Sequence, residues 1–238
     1  MNLLIVAATW NEIKPLEKFL QGMDEEGKLR DHSAEICVTG VGGVQTAFHL
    51  GKILPRGNWD LAIQLGICGS FKKELQIGTT VNVVEESFAD LGAEDGDIFL
   101  DAFQIGLLDA NKFPFENGKL PSPPSDSLPS LAGQVPGGPL PTLEQLPKAK
   151  SISVNKVHGS ERSIKQIILK YDPDVESMEG AAFFYCCRMT SIPFLQLRTV
   201  SNLVERRDKS KWDIPVAIEK LNEAAVKILL EILKLSNS

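Results

Sequence analysis

Cysteine is scarce in this chain and is badly placed for a structural framework. Four cysteines occur among 238 residues, and they stand in apolar stretches without CxxC spacing or a neighbouring pair of histidines. Zinc sites depend on such spacings, and disulfide frameworks are typical of short, cysteine-rich chains, so neither is expected here. We predict buried free thiols at all four positions, which are Cys37, Cys68, Cys186 and Cys187.

An excess of basic charge and long apolar runs are also lacking. Lysine and arginine number 25 against 31 acidic residues, which gives a formal net charge of −6. Such a surface attracts neither nucleic acid nor an anionic membrane. No apolar run approaches the roughly 18 residues of a membrane span. The first run also lacks the basic residues that precede the apolar part of a signal peptide. We expect a cytoplasmic protein with a small-molecule ligand, and no nucleic-acid or membrane partner.

Apolar residues are plentiful and follow a strand-turn-helix rhythm. They make up 43% of the chain, enough for a sizeable core, and we predict one domain over residues 1–238. The rhythm predicts an α/β three-layer sandwich with a largely parallel or mixed central sheet, whose ligands bind at the carboxyl ends of the strands. Predicted strands cover residues 3–8, 35–39, 60–65, 78–87, 151–155 and 193–201; predicted helices cover 11–20, 44–54, 161–170, an apolar stretch ending near 189, and 216–235. A glycine turn at 66–69 is expected to close the third strand.

Prolines concentrate in one segment. Residues 113–147 carry nine of the fourteen prolines, a density that regular elements do not accommodate. We therefore predict a long surface excursion without regular structure. Loops of this length are often lids or specificity loops, and the sequence leaves open whether this one covers an active site or is a passive insertion.

Two carboxylates are candidates for chemistry. Glu12 follows the first predicted strand, where it could activate a water molecule, although the helix dipole also favours an acidic residue in a first turn. Glu179 enters the first turn of a helix that is otherwise apolar on every side. A charge there is costly unless it has partners, and ligand hydroxyl groups would be suitable ones. Asp174 or Ser177 is the predicted cap of this helix.

Weaker signals come from two glycine segments and one histidine. Residues 40–43 and 66–69 could offer backbone N–H groups to an anion or could simply turn the chain. Neither is a complete dinucleotide-binding fingerprint or P-loop. His158 follows a strand and could either stack on a base or finish a loop.

Four motifs in order and spacing resemble the nucleoside phosphorylase and nucleosidase superfamily. They are Ala7-Ala8-x-x-x-Glu12, Gly66-x-x-Gly69, Met178-Glu179-Gly180-Ala181-Ala182 and Ser201-Asn202. Segments 88–95, 153–159 and 201–208 are similar to the futalosine hydrolase family within it. The resemblance covers nearly the whole chain except the proline-rich excursion. It implies a homo-oligomeric nucleosidase without metal or cofactor, which splits futalosine into hypoxanthine and dehypoxanthine futalosine in menaquinone biosynthesis.

The resemblance also implies roles at the sugar. Glu12 falls at the position of the general base that deprotonates water, and Glu179 at that of the carboxylate that binds ribose hydroxyls. Met178 would pack against the sugar, with Val41 and Ile67 lining the same pocket.

Four further positions correspond to the base site. Ser201 and Asn202 match the pair at the five-membered ring of the purine, His158 falls where an aromatic ring stacks on the base, and Trp212 where one closes the pocket. Asn202 is the informative departure, because adenine-specific nucleosidases carry aspartate there. An amide offers a donor and an acceptor without a titratable proton, which favours hypoxanthine and predicts that Asn202 stabilises the departing base.

Alternative functions remain open from the sequence. A purine nucleoside phosphorylase is disfavoured, because Gln64 and Ile67 stand where bacterial phosphorylases carry arginine and serine for phosphate. An adenine-type nucleosidase is disfavoured by Asn202. A silent nucleoside-binding protein is disfavoured because Glu12 and Glu179 are both retained.

Overall fold

A curved mixed sheet organises the chain, with helices on both of its sides. The computed structural model describes residues 1–29, 32–124 and 140–233. Its strands are β1 (Asn2–Ala7), β2 (Ser33–Val38), β3 (Leu61–Ser70), β4 (Thr80–Phe88), β5 (Gly92–Asp95), β6 (Ile98–Asp101), β7 (Leu120–Pro121), β8 (Lys148–Ser153), β9 (Val175–Ser177) and β10 (Phe194–Leu203). Its helices are α1 (Trp10–Glu25), α2 (Gly43–Ile53), α3 (Pro141–Gln145), α4 (Glu161–Tyr171), α5 (Gly180–Thr190) and α6 (Ile214–Leu233), with 3₁₀ turns at Leu54–Arg56 and Lys209–Lys211.

The main sheet has eight strands and closes partly on itself. Its order is β10-β4-β8-β9-β3-β1-β2, with β7 paired to β4 and an additional pairing between β10 and β3. β10 runs parallel to β3 and antiparallel to β4, so the sheet is mixed. β5 and β6 form a separate hairpin. The predicted α/β sandwich with a mixed central sheet is confirmed.

Alternation along β1 shows how the three layers form. Leu3 and Ile5 belong to the apolar cluster that contains α1 and α6 residues, whereas Leu4 and Val6 belong to the cluster that contains α2 and α5 residues. Successive side chains of a strand point to opposite faces, so β1 has apolar contacts on both sides. This continuous apolar run is therefore a central strand.

Two expectations about local structure were wrong. Residues 175–177 form β9 between β8 and β3, so the following helix begins at Gly180 and its N-cap is Glu179 rather than Asp174 or Ser177. The segment 66–69 does not close β3, because its residues pair with β10 and β9 and the strand continues to Ser70. Both differences arise from strand pairings between segments distant in sequence.

Regular structure also enters the proline-rich excursion, against the expectation. Leu120–Pro121 form β7 on β4, and Pro141 starts the short helix α3, a position where its missing N–H is harmless. Leu120 and Leu143 are buried, so these parts pack on the protein. Residues 125–139, which make up 15 of the 35 residues of the predicted excursion, lie outside the described residues.

All four cysteines are free thiols, as predicted. Three of them are buried as expected, whereas Cys186 is only half-buried.

Across the part of the chain that the structure describes, none of the helices has the length and apolarity needed to span a bilayer.

Asn222 of α6 replaces a backbone hydrogen bond that is missing from α1. Pro15 lies inside α1, where it removes one backbone donor and crowds the preceding turn. The buried Asn222 of α6 accepts a hydrogen bond from the Leu16 amide at 3.0 Å and donates one to the Glu12 carbonyl at 2.8 Å. In an unbroken helix these two backbone groups bond to each other. Asn222 therefore holds the backbone of Glu12 against α6.

We predict that Asn222→Ala destabilises the fold by about 1–3 kcal/mol, because it removes the partner of two buried backbone groups. Urea unfolding followed by circular dichroism measures this. Lys227→Ala, at an exposed position of the same helix, is the control and should stay within about 0.5 kcal/mol of the wild type. Equal midpoints for the two variants would contradict the bridging role.

Candidate active site

Glu12 is fixed at the start of α1 by contacts on both carboxylate oxygens. Oε2 accepts from the Thr9 amide at 2.9 Å and from the Thr9 hydroxyl at 3.0 Å, as a glutamate at the third helical position does when it turns back to the N-cap. Oε1 accepts from the Ile67 amide of β3 at 3.2 Å. The side chain is buried, and this burial raises the pKa of Glu12 above 4.5. A raised pKa makes the carboxylate a stronger base.

Glu179 is also buried, at the N-cap of α5. Oε1 accepts from the Gly42 amide at 3.0 Å, and Oε2 accepts from Arg198 Nη1 at 3.4 Å. The sequence suggested ligand hydroxyls as partners for this charge. The protein itself already supplies a backbone donor and a cation.

Arg198 of β10 is a site residue that sequence reasoning missed. Its guanidinium is 1% exposed and donates to the Ile67 carbonyl at 3.4 Å and to Gln64 Oε1 at 3.2 Å, in addition to Glu179. The register places Arg198 opposite Gly66, where an added Cβ would lie 2.2 Å from Nη1 and 3.2 Å from Glu12 Oε1. A bare glycine therefore leaves room for the cation beside both carboxylates. The available signal was that Arg198 is the only charged residue in the predicted buried strand 193–201.

A buried polar chain continues from Arg198 beneath α5. Gln196 donates to Gln64 at 2.6 Å, and Ser153 donates to Glu86 Oε2 at 3.0 Å and accepts from the Ala181 amide at 2.7 Å. Burial raises the pKa of Glu86 to about 7. A Cβ on Gly180 would stand 1.7 Å from Glu86 Oε1 and 2.5 Å from Gln196 Nε2, so only glycine fits at the start of α5.

Ser201 and Asn202 lie at a bulge near the end of β10. The Ser201 hydroxyl is 3.1 Å from the Cys68 carbonyl oxygen and 2.9 Å from Asn202 Oδ1, and it can donate its hydrogen to one of them at a time. Asn202 Nδ2 donates to the Leu203 carbonyl at 3.0 Å. The amide thus bonds to its own strand, and a ligand would have to replace these contacts.

His158 is paired with a carboxylate that the sequence did not suggest. His158 Nδ1 lies 2.6 Å from Oε2 of the buried Glu176, and the His158 amide donates to Oε1 at 3.1 Å. The rings of His158 and Phe71 meet edge to face, with centroids 6.3 Å apart. The imidazole is therefore oriented by Glu176 rather than left free in a loop.

The other predicted site residues lie around these groups. Ile67 is half-buried, with its amide on Glu12; Met178 is half-buried immediately before Glu179; Val41 is exposed immediately before Gly42. Trp212 packs against the Arg207 guanidinium at 4.9 Å, and the neighbouring Asp213 amide donates to the Ser201 carbonyl at 2.9 Å. Trp10 is half exposed at the start of α1.

A cavity of about 1050 Å³ lies to one side, between the β5–β6 hairpin and α4. His158 lines it, whereas Glu12 and Glu179 do not. The buried charges and their hydrogen bonds, rather than this volume, therefore define the candidate site. Among the residues described, no group of three or more His, Cys, Asp or Glu side chains could hold a metal ion.

The chain is similar to known proteins in sequence and in structure. The model of the family described as "Phosphorylase superfamily" matches residues 21–234. A futalosine hydrolase of Acidothermus cellulolyticus is 30% identical over 81% of this chain and 73% of that protein. A 5′-methylthioadenosine/S-adenosylhomocysteine nucleosidase of Haemophilus ducreyi is 23% identical over 94% of this chain and 96% of its own length. The structure of futalosine hydrolase from Helicobacter pylori superposes with a TM-score of 0.72 at 14% identity, covering 98% of this chain and 97% of that one, which supports the fold.

We predict that Arg198 sets the basicity of Glu12. Burial raises the pKa of Glu12 and the Arg198 cation lowers it, so Arg198→Met should raise it further, and Arg198→Lys, which keeps the charge, should shift it less. An NMR titration of the ¹³C-labelled Glu12 carboxyl measures this in each variant. An unchanged or lowered pKa in Arg198→Met would contradict the coupling.

Proposed function

Because this chain belongs to the phosphorylase superfamily, we propose that it is a futalosine hydrolase. It hydrolyses the N-glycosidic bond of futalosine and releases hypoxanthine and dehypoxanthine futalosine, a step of menaquinone biosynthesis. The observation that carries the proposal is the buried arrangement of Glu12, Arg198 and Glu179 at the end of β3. The likeness to the Acidothermus cellulolyticus futalosine hydrolase supports the substrate.

Glu179 acts on the sugar. Cleavage of an N-glycosidic bond builds positive charge on the ribosyl ring, and a carboxylate at the ribose hydroxyls stabilises that charge more in the transition state than in the ground state. Gly42 and Arg198 hold the Glu179 carboxylate in place. Met178, Val41 and Ile67 form the apolar surroundings of the ribose in this proposal.

Glu12 supplies the nucleophile. Its carboxylate takes a proton from a water molecule that attacks the anomeric carbon, a contribution of roughly 10²–10⁴-fold. Because Thr9 and Ile67 hold both oxygens, the base needs no rearrangement before it acts. Glycosidases also use two carboxylates in two separate roles.

The purine lies at the other end of the site. We assign Ser201 and Asn202 to the five-membered ring, His158 to its face and Trp212 to the closure of the pocket. Asn202 stabilises the departing base through hydrogen bonds and has no proton of its own to transfer.

Water rather than phosphate is the proposed acceptor of the ribosyl group. Gln64 and Ile67 replace the phosphate-binding arginine and serine of the phosphorylases, yet this place does contain an arginine, since Arg198 reaches it from β10. Its guanidinium is bonded to Glu179 and Gln64, and Glu12 stands beside it. An incoming phosphate would meet two carboxylates against one cation, which disfavours the anion.

We predict that the protein cleaves futalosine at a rate independent of phosphate. Chromatography of reactions with and without phosphate identifies the released base and sugar. Glu12→Gln should abolish turnover but keep binding, whereas Glu179→Gln should weaken both. A ribose 1-phosphate product would instead indicate a phosphorylase, and binding without turnover in the wild type would indicate a silent nucleoside-binding protein.

An adenine-type nucleosidase is the second candidate, favoured by the likeness to the Haemophilus ducreyi enzyme. Asn202 separates the two. A site built for a 6-oxopurine leaves a buried polar group unsatisfied when a 6-aminopurine enters, at about 1–3 kcal/mol, or roughly 5- to 150-fold in specificity.

We therefore predict that the wild type prefers futalosine over aminodeoxyfutalosine. Asn202→Asp should shift kcat/KM toward the adenine compound. Competition between the two nucleosides measures the ratio for both proteins, and Asn58→Asp, at an exposed position outside the site, is the control. Equal preference in the wild type, or an unchanged ratio in Asn202→Asp, would remove Asn202 as the discriminating residue.

The remaining sequence expectations stay predictions. They are a cytoplasmic location, a single domain over residues 1–238 and a homo-oligomer. Val44 and Phe48 on α2 are 81% and 61% exposed, and they are apolar side chains that a second copy of the chain could cover.

A further inference from the structure

The proposed reaction requires a proton donor for the leaving base. When the bond between C1′ and N9 breaks, its electron pair moves onto the purine, and protonation at N7 makes the base a much better leaving group. Asn202 cannot supply this proton, because an amide has none that titrates. Glu12 is committed to the attacking water, and Glu179 is bonded to Gly42 and Arg198.

His158 and Glu176 form a dyad suited to this task. Both carboxylate oxygens of Glu176 bond to His158, one to Nδ1 at 2.6 Å and the other to its backbone amide at 3.1 Å. The bond at Nδ1 fixes the tautomer and orientation of the ring. Glu176 is buried in β9. Its carboxylate is therefore held next to the His158 ring, where a negative charge stabilises an imidazolium. Within the described residues, Nε2 has no hydrogen-bond partner and is available to a ligand.

The strand register places this dyad beside Asn202. Gly69 of β3 pairs with Asn202 of β10 on one side and with Glu176 of β9 on the other. A Cβ on Gly69 would stand 3.3 Å from Asn202 Nδ2 and 3.5 Å from Glu176 Cγ. The side chains of Asn202 and Glu176 therefore lie on either side of Gly69, which has no side chain of its own. In addition, the Arg207 amide, just beyond β10, donates to the Gly159 carbonyl at 3.2 Å, which ties the His158 loop to the segment that follows Asn202.

We propose that His158, oriented by Glu176, is the general acid that protonates N7 of the leaving hypoxanthine; this inference rests on the proposed function. N7 accepts a proton in the plane of the purine, so in this role the imidazole meets the edge of the base instead of stacking on its face. The proton moves from His158 Nε2 to N7 as the C1′–N9 electron pair passes to the purine. Water gives its oxygen to C1′ and one proton to Glu12. Glu12 then releases its proton to solvent and His158 takes one up from solvent, so one water is consumed for each nucleoside cleaved. Asn202 holds the base while Glu176 acts as a positioning residue.

His158→Phe separates acid catalysis from stacking. Phenylalanine keeps an aromatic face for the base but has no proton to give, so kcat on futalosine should fall by roughly 10²–10⁴-fold while the Kd of futalosine, measured with the Glu12→Gln background to prevent turnover, changes little. Glu176→Gln, which keeps an acceptor but removes the charge, should lower kcat by a smaller factor. A loss of less than tenfold in His158→Phe would overturn the proposal and leave His158 as a stacking residue.

An N7-methylated nucleoside provides the second measurement. In 7-methylinosine the methyl group already gives the imidazole ring a positive charge, so its base departs without an acid. His158→Phe should therefore cleave 7-methylinosine about as fast as the wild type does, although it is slow on inosine and futalosine. An equal loss on methylated and unmethylated nucleosides would assign His158 to positioning and overturn the acid role. If the wild type cleaved no futalosine, the proposed function itself would fail, which is a distinct result.

Discussion

A single buried cation makes the candidate site possible. Removing ionised carboxylates from water costs several kcal/mol each even after relaxation, and both Glu12 and Glu179 are buried. Arg198 offsets this by lying beside both, and the surrounding residues are arranged for it: Gly66 leaves its space and Gln64 accepts from it. The same cation opposes the rise in the pKa of Glu12 that burial causes. Removing Arg198 would thus leave two uncompensated negative charges.

The polar chain beneath Arg198 extends this constraint into the sheet. Gln64 and Gln196 stand opposite each other on β3 and β10, and their bond links the cation to the region of Glu86 at the start of α5. Buried polar groups are costly when they lack partners, and three atoms of this chain, Glu86 Oε1, Gln196 Oε1 and Arg198 Nε, have none within the described residues. Glycines at 66 and 180 provide the room for these side chains, which explains two glycines that lie neither in turns nor at positive φ.

The sequence was informative where a local pattern decides the structure. Apolar runs and helical spacing predicted the strands, the helices and the mixed sheet, and the ends of β1 and β9 do bring Glu12 and Glu179 to one place. What it missed depends on register between distant strands. Arg198 becomes a partner of Glu179 only because β10 pairs with β3, and Glu176 reaches His158 only because residues 175–177 pair as β9 instead of starting a helix. No local periodicity carries that information.

The bridge from Asn222 to Glu12 has a consequence for the order of assembly. It joins residues 210 positions apart, one of the most non-local contacts that a chain of this length can make, and such contacts form late because the intervening loop must first be closed. During synthesis β1 and the start of α1 emerge first, yet the backbone of Glu12 acquires this support only after α6 has left the ribosome. A nascent chain can therefore contain every other part of the site and still hold its proposed base on an unsupported helix.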